Sequence, residues 1–354
     1  MNKKTKVFFL AGFLLSAILI FVFYNQFWLE EEGREAESEI AEKVKKESIQ
    51  KEIKIPKKEE EKSLSSMAIE ELQERNFPGG DFVVEEKLEN GSNYERFIVS
   101  YQSEGLKING LLTRPLSPRP EGGYPAILFV HGYIPPKQYS TVDSYPTYQA
   151  SLARQGFVTF KPDMRGHGDS EGEPVNAHFS EKYVVDTLHA LAYLKDYEDA
   201  NSERIGYWGH SNGGEIGLRS AVITDEIKAY SFWAGVVGSY KDMLETYNQD
   251  IPFLNLEEKE FSFVQENGLP SENPDFWNKI DPHRYLEEIS APIELHHGTD
   301  DDSVPIELSV SLKEAMEEED KKVDLYEYAD DDHDISQNSN RAFERTIKFY
   351  EENL

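Results

Sequence analysis

The 354-residue chain contains no cysteine. Disulfide bonds, thiolate nucleophiles and cysteine-ligated zinc sites are therefore excluded. Basic residues are also scarce, since 37 Lys and Arg stand against 67 Asp and Glu, and the formal net charge is −30. Nucleic acid is consequently not an expected partner, because phosphate binding needs clustered Lys and Arg.

Charge is also absent from one stretch near the beginning of the sequence. Residues 7–24 carry no charged side chain, and Lys3, Lys4 and Lys6 precede them. As a helix this run spans about 27 Å, close to the thickness of a bilayer core. The basic flank favours a cytoplasmic N-terminus. We predict that residues 1–29 form a single-pass membrane anchor that places the rest of the chain outside the cytoplasm, with signal cleavage and secretion as the alternative.

The next segment differs in composition from the rest of the chain. Residues 30–66 are rich in Glu and Lys and poor in large apolar side chains. Such a segment buries too little apolar surface to fold, so we predict a disordered linker. Strand-like and helix-like segments then alternate over residues 67–354, and continuous apolar runs such as residues 125–130 are typical of strands buried on both faces. The alternation predicts one α/β domain with a mostly parallel central sheet, flanked by helices and preceded by a hairpin in residues 94–113.

One segment of this domain is longer than a connection between neighbouring strands needs to be. It covers residues 240–288, is rich in aromatic side chains and is interrupted by proline. It lies between two predicted strands on the side of the sheet where active-site loops emerge. We predict a cap or lid over the active site, and an ordinary packed insertion is the alternative.

Two segments match Gly-x-Ser-x-Gly, and their surroundings differ. Ser211 follows a short apolar run and precedes a helix-like segment, whereas Ser170 lies in a polar loop. A strand that turns sharply into a helix exposes a serine at the apex, and small neighbours let the strand and the helix approach each other. The helix N-terminus adds free N–H groups where an oxyanion would develop. We therefore predict that Ser211, and not Ser170, is a nucleophile.

A serine nucleophile needs a base to accept its proton and an acid to orient that base. In enzymes with such a nucleophile elbow the chain order is Ser, acid, His. Four histidines follow Ser211, of which two end a strand and one lies in the predicted cap. The fourth is His333, in a loop between the last predicted strand and the last predicted helix, and we predict that it is the base. The acid should lie in the loop after the strand that precedes the last predicted strand. Asp300, Asp301 and Asp302 all lie in that loop, and each is a candidate.

Together these segments resemble the prolyl-oligopeptidase-type (S9-like) serine hydrolases of the α/β-hydrolase superfamily. They are most similar to single-domain bacterial members described as dienelactone-hydrolase-like or acylaminoacyl-peptidase-like. The matching motifs are His131-Gly132-Tyr133, Arg165-Gly166-His167-Gly168-Asp169-Ser170, Gly209-His210-Ser211-Asn212-Gly213-Gly214, His297-Gly298-Thr299-Asp300-Asp301 and the His333 loop. The resemblance covers about residues 94–354. It implies the α/β-hydrolase fold, a structural role for the loop that carries Ser170, and acyl transfer that requires no metal or organic cofactor.

The family register also implies individual roles. The catalytic acid is Asp301, the fifth residue of His-Gly-x-x-Asp, and the oxyanion donors are the backbone N–H groups of Tyr133 and Asn212. The expected activity is hydrolysis of a small-molecule ester or a short peptide by Ser211, His333 and this acid. Because no β-propeller is expected before the domain, an esterase is favoured over an S9-type peptidase. An inactive, membrane-tethered binding protein is the alternative from another functional class.

We expect the full-length chain to sediment with membranes, and a chain that starts at Ser66 to be soluble and active, because the latter lacks the uncharged run. Detergent-free ultracentrifugation of lysates from expressing cells measures the membrane association of each chain. Hydrolysis of an acyl ester measures its activity. A soluble full-length product whose mature N-terminus lies beyond residue 24 would show that the run belongs to a cleaved signal peptide.

Overall fold

The computed structural model describes residues 66–247 and 258–354. The predicted anchor and nearly all of the predicted linker lie outside the described residues. Within the described ranges, no helix is both long enough and apolar enough to cross a bilayer. The membrane anchor therefore stays a prediction.

A nine-stranded sheet forms the centre of the domain. Its strands in chain order are β1 Val83–Lys87, β2 Tyr94–Ser103, β3 Leu106–Pro115, β4 Tyr124–Val130, β5 Val158–Pro162, β6 Ala200–His210, β7 Ala229–Trp233, β8 Ile293–Gly298 and β9 Val323–Tyr328. Their order in space is β1-β2-β3-β5-β4-β6-β7-β8-β9. The pairings from β1 to β5 are antiparallel. Those from β5 through β4 to β9 are parallel. The predicted hairpin and the mostly parallel sheet are thus confirmed.

Eight α-helices are described, with three shorter helical turns. The α-helices are α1 Ile69–Gln73, α2 Pro146–Arg154, α3 Lys182–Asp196, α4 Asn212–Ile223, α5 Glu258–Asn267, α6 Pro274–Ile280, α7 Ile306–Glu318 and α8 Ser339–Asn353. The shorter turns are a π-helical turn at Asp242–Thr246 and 3₁₀ turns at Pro282–Arg284 and Leu286–Glu288. The parallel strands therefore alternate with helices along the chain, as the sequence predicts.

The continuous apolar run in β4 is explained by burial on both faces of the sheet. Leu128 and Val130 belong to a buried cluster that includes side chains of α3, α4 and α7. Ile127 and Phe129 belong to a second cluster that includes side chains of α2 and α8. Successive side chains of a strand point to opposite faces, so a strand covered on both faces needs apolar residues at every position.

The sequence gives no signal for the edge strand β1, which the predictions do not include. All five of its residues are exposed, with Val83 and Val84 at 59% and 60%. It pairs with β2 on one side only. Because neither face is buried, the apolar-polar alternation that identifies a half-buried strand is missing.

The described part of the predicted cap packs through an apolar cluster. Tyr240, Trp277 and Ile280 from this segment share the cluster with Val304, just before α7, and with Leu308 in its first turn. The segment is thus attached to the domain by buried side chains. Residues 248–257 lie outside the described residues, and the lid function stays a prediction.

Close backbone approach explains two glycines around Ser211. A Cβ atom on Gly213, at the beginning of α4, would collide with the carbonyl oxygen of Val130 at the end of β4. A Cβ atom on Gly209, at the end of β6, would collide with the carbonyl oxygen of Gly213. The predicted need for small residues on both sides of Ser211 is therefore confirmed.

We expect Gly213→Ala to lower the free energy of unfolding by about 1–3 kcal/mol, since the added methyl group must displace backbone. Ser220→Ala is the matched control on the same buried helix, because it keeps its Cβ atom and loses only a hydroxyl bonded to the Ile216 carbonyl at 2.8 Å. Urea denaturation, monitored by circular dichroism, gives the free energy of unfolding of both variants. Equal stability of Gly213→Ala and wild type would contradict the close approach of α4 and β4.

Candidate active site

Ser211 lies in the sharp turn between β6 and α4. Its backbone has φ 55° and ψ −118°, and the residue is 6% exposed. A positive φ is strained for a residue with a side chain and persists only where the surroundings enforce it. Here the Ser211 N–H donates to the Trp233 carbonyl at 3.0 Å, and its carbonyl accepts from the N–H groups of Gly214 and Val236 at 2.8 and 3.1 Å. The turn therefore has the strand-turn-helix geometry that the sequence predicts around Ser211.

His333 and Asp301 meet at the ends of neighbouring strands. Nδ1 of His333 lies 2.8 Å from Oδ2 and 3.0 Å from Oδ1 of Asp301. The Asp301 side chain is 1% exposed and that of His333 is 21% exposed. An ionised carboxylate can only accept, so the shared proton lies on Nδ1. Nε2 of the neutral ring is then free to accept a proton.

A second histidine contacts the same carboxylate. Nε2 of His297 lies 2.9 Å from the Val304 carbonyl oxygen and 3.1 Å from Oδ2 of Asp301, and Nδ1 lies 2.8 Å from the Ser309 hydroxyl. The N–H groups of Ser303 and Val304 each donate to Oδ1 at 2.9 Å. From the sequence, His297 is predicted only to end a strand and to have no role in the site. The sequence signal that could have identified this contact is the spacing, since His297 lies four residues before Asp301.

These donors determine the ionisation of Asp301. Burial alone would raise the pKa of this carboxyl, but the hydrogen bonds from His297 and His333, the nearby His333 charge and the Val304 N–H together lower the pKa well below its usual value. A carboxyl with a lowered pKa stabilises the fold above the unfolded-state pKa, near pH 4. That stabilisation is lost as the pH falls through the lowered value.

The three competing aspartates differ in their surroundings. Asp300 and Asp302 are exposed, whereas the Asp301 side chain is buried. The Asp300 N–H donates to the Asp331 carbonyl at 3.0 Å, which ties the acid-bearing loop to the loop that carries His333. Of the three carboxylates, Asp301 is the one that contacts His333.

The acidic run around His333 is organised by internal hydrogen bonds. Asp331 is fully buried, and its carboxylate accepts from the N–H groups of Gln337 and Asn338, each at 3.0 Å. Asp332 accepts from the Ser336 N–H at 2.9 Å. These carboxylates therefore hold the shape of the loop that carries the histidine.

The predicted oxyanion donors lie on the two segments that flank the elbow. Asn212 is the first residue of α4, and Tyr133 follows Gly132 in the loop after β4. A Cβ atom on Gly132 would lie 2.9 Å from Cβ of Ser211, so this loop packs directly against the serine. Among the described residues, no acceptor is found for the backbone N–H groups of Tyr133 and Asn212.

Ser170, in the second Gly-x-Ser-x-Gly segment, has a different environment. Its hydroxyl accepts the N–H of Asn109 on β3 at 3.0 Å. Its own N–H donates to the His167 carbonyl at 3.0 Å. The residue therefore fastens its loop to the sheet.

A cavity of about 290 Å³ opens beside the His333 loop, and two tyrosine rings and one carboxylate contribute to its wall. Its lining residues are Ile134, Tyr145, Pro146, Thr147, Tyr148 and Asp334.

In the part of the chain that the structure describes, no three His, Asp or Glu side chains are grouped as metal ligands.

The sequence model of the prolyl oligopeptidase family (peptidase S9) matches residues 143–354. The chain belongs to this family. It is 28% identical over 252 residues to an uncharacterised peptidase of Bacillus subtilis, YtmA, and the alignment covers 71% of this chain and 91% of that protein. The family membership, together with peptidase and esterase neighbours, identifies the chain as a serine hydrolase.

Solved structures confirm the α/β-hydrolase fold of this S9-family chain. An acetyl xylan esterase from Paenibacillus sp. R4 superposes with a TM-score of 0.63 and 16% identity, over 79% of this chain and 91% of the esterase. A puromycin-hydrolysing peptidase of Mycobacterium tuberculosis gives a TM-score of 0.57 and 20% identity, over 73% of this chain and 39% of that longer chain. At these identities the likeness shows the fold alone.

For this S9-family hydrolase, we expect Asp301→Asn to lower kcat by about 10⁴-fold, because the amide cannot fix the His333 tautomer or stabilise its positive form. Asp300→Asn and Asp302→Asn are matched controls, and we expect each to stay within about tenfold of wild type, a barrier change of roughly 1.4 kcal/mol. Steady-state kinetics on an acyl ester, with folding checked by circular dichroism, measures all three. Equal losses of kcat in all three variants would mean that the total charge of the loop, and not one carboxylate, supports His333.

Proposed function

We propose that this S9-family protein hydrolyses ester or amide bonds with Ser211 as nucleophile, His333 as base and Asp301 as the orienting acid. The main support is the contact between Asp301 and Nδ1 of His333, because it selects the tautomer whose Nε2 can accept a proton. The strained elbow at Ser211 supports the choice of nucleophile. The N–H groups of Tyr133 and Asn212, for which the described residues provide no acceptor, support the choice of oxyanion donors.

The proposed reaction has two steps. Nε2 of His333 takes the proton of Ser211 as Oγ attacks the substrate carbonyl, and Asp301 stabilises the imidazolium that forms. The backbone N–H groups of Tyr133 and Asn212 bind the oxyanion. The imidazolium then protonates the leaving group, which yields an acyl-enzyme. A water molecule deprotonated by the same histidine releases the acid and restores the serine.

We propose a small acyl ester as the favoured substrate class and a short peptide as the alternative. The cavity borders the His333 loop at Asp334 and has a volume of about 290 Å³, just below the range of about 300–1,000 Å³ for small-molecule sites. Its tyrosine rings suit an apolar acyl or leaving group. Ester and amide cleavage use the same groups, so the bond type is decided by comparing p-nitrophenyl acyl esters with aminoacyl p-nitroanilides.

We also propose that residues 1–29 anchor the enzyme in a membrane, with the catalytic domain outside the cytoplasm. The support is the uncharged run at residues 7–24 and the basic residues before it. The membrane is then a site of attachment, and the substrate is a soluble ester or peptide.

We expect Ser211→Ala to abolish hydrolysis, whereas Ser170→Ala keeps kcat within about tenfold of wild type, because only the first removes an elbow nucleophile. Initial rates on p-nitrophenyl esters, with folding checked by circular dichroism, measure both variants. An active Ser211→Ala beside an inactive Ser170→Ala would overturn the assignment. A wild-type protein that hydrolyses neither esters nor anilides would favour the inactive binding protein.

A further inference from the structure

A partly buried chain of hydrogen bonds crosses the elbow beside Ser211. The N–H of Gly132 lies 3.1 Å from the hydroxyl oxygen of Tyr145, and that oxygen lies 2.6 Å from Nδ1 of His210. Nε2 of His210 lies 3.1 Å from the backbone carbonyl oxygen of His333. These hydrogen bonds thus join the loop after β4 to the loop that carries the proposed base.

The two ends of this hydrogen-bond chain, together with a neutral His210 ring, determine the direction of every hydrogen bond in it. The Gly132 N–H can only donate, and the His333 carbonyl can only accept. The Tyr145 oxygen therefore accepts from Gly132, and its O–H donates to Nδ1 of His210. Nε2–H of His210 then donates to His333. With the proton on Nδ1 instead, the Nε2 lone pair would face the carbonyl oxygen.

We propose that Tyr145 and His210 are positioning residues, which hold the backbone of His333 and the backbone beside Tyr133 at a fixed separation across the Ser211 elbow. The proposal rests on the proposed function. A hydrolase needs its base and its oxyanion donors on opposite sides of the reacting carbonyl, and a displacement of about 1 Å can cost 10²-fold in rate. The hydrogen-bond chain connects these two sides directly.

The surroundings keep Tyr145 in place. Its ring makes edge contacts with Phe129 and Trp208 at centroid distances of 5.9 and 6.3 Å. Its backbone has φ 57° at the residue that precedes α2, a conformation that a bulky side chain rarely adopts. Burial raises the pKa of Tyr145, so its hydroxyl keeps the proton that it donates.

His210 is neutral in this environment. Burial and the nearby His333 ring lower the pKa of His210 to about 3, although Asp301 and the His333 carbonyl favour the charged form. The nearest carboxylate oxygen is Oδ1 of Asp334, 3.7 Å from Nε2 on a side chain that is 60% exposed. The neutral ring therefore acts as one donor and one acceptor, as the chain requires.

Tyr145→Phe in the full-length protein tests the link, because it keeps the ring and removes the hydroxyl. We expect kcat on a p-nitrophenyl ester to fall about 10- to 100-fold while KM stays within about twofold, since the change displaces catalytic groups and leaves the cavity wall intact. His210→Ala should lose at least as much. His210→Gln should recover part of that loss, because its amide N–H can still reach the His333 carbonyl.

Tyr101→Phe is the matched control. Tyr101 is buried, whereas Tyr145 is partly buried, and the Tyr101 hydroxyl likewise bonds a backbone group, donating to the Asp186 carbonyl at 3.0 Å on another part of the sheet. We expect Tyr101→Phe to lower the melting temperature as much as Tyr145→Phe does and to leave kcat unchanged. A kcat for Tyr145→Phe equal to that of Tyr101→Phe, or a change in KM alone, would overturn the proposal.

A measurement that needs no activity separates this inference from the proposed function. In full-length protein with ¹⁵N-labelled histidine, we expect His210 to remain the Nε2–H tautomer from about pH 5 to pH 8, the range in which an ordinary histidine titrates. Its Nδ1 resonance should shift in Tyr145→Phe. An Nδ1–H tautomer, or titration of His210 in this range, would contradict the hydrogen-bond chain even if wild type is an active hydrolase.

Discussion

The buried carboxylate of Asp301 is the feature on which the rest of the site depends. A carboxylate removed from water is costly unless donors replace its hydration, and here two histidines and two backbone N–H groups do so. These donors lie on β8, on the loop after it and on the loop after β9. Because the two strands are parallel neighbours, their carboxyl ends lie together and the loops meet without a long connection. The electrostatic requirement of one carboxylate therefore organises both loops, and with them the orientation of His333.

The serine side of the site is organised by backbone strain. Ser211 keeps its positive φ because β7 and the segment after it hold both of its backbone polar groups, and because Gly209 and Gly213 allow β6 and α4 to approach. The hydrogen bonds from Tyr145 through His210 then connect this elbow with the backbone of His333, the proposed base. The backbone strain at Ser211 and the burial of the Asp301 carboxylate are thus stabilised by different parts of the same sheet. The proposed chemistry needs both at a fixed separation.

The residues that chain order and local pattern could identify were predictable from the sequence. The elbow at Ser211 has a strand before it and a helix after it, and His333 is the downstream histidine in a loop of the right order. Asp301 needed the family register, because three adjacent aspartates look alike until burial separates them. The contacts of His297 and of Tyr145 with His210 were not predictable, since they depend on tertiary distances rather than on spacing along the chain. For the same reason, composition did not separate the buried, hydrogen-bonded Asp331 from a solvated acidic loop.

The central claim is that one serine, at the elbow, is activated for covalent chemistry. Treatment of the full-length protein with a fluorophosphonate, followed by trypsin digestion and mass spectrometry, tests it directly, since Ser211 and Ser170 fall in different tryptic peptides, residues 205–219 and 166–182. We predict one adduct per chain, on Ser211, and strongly reduced labelling in a variant that lacks the His333 imidazole. An adduct on the peptide that contains Ser170, or labelling that does not depend on His333, would contradict the account.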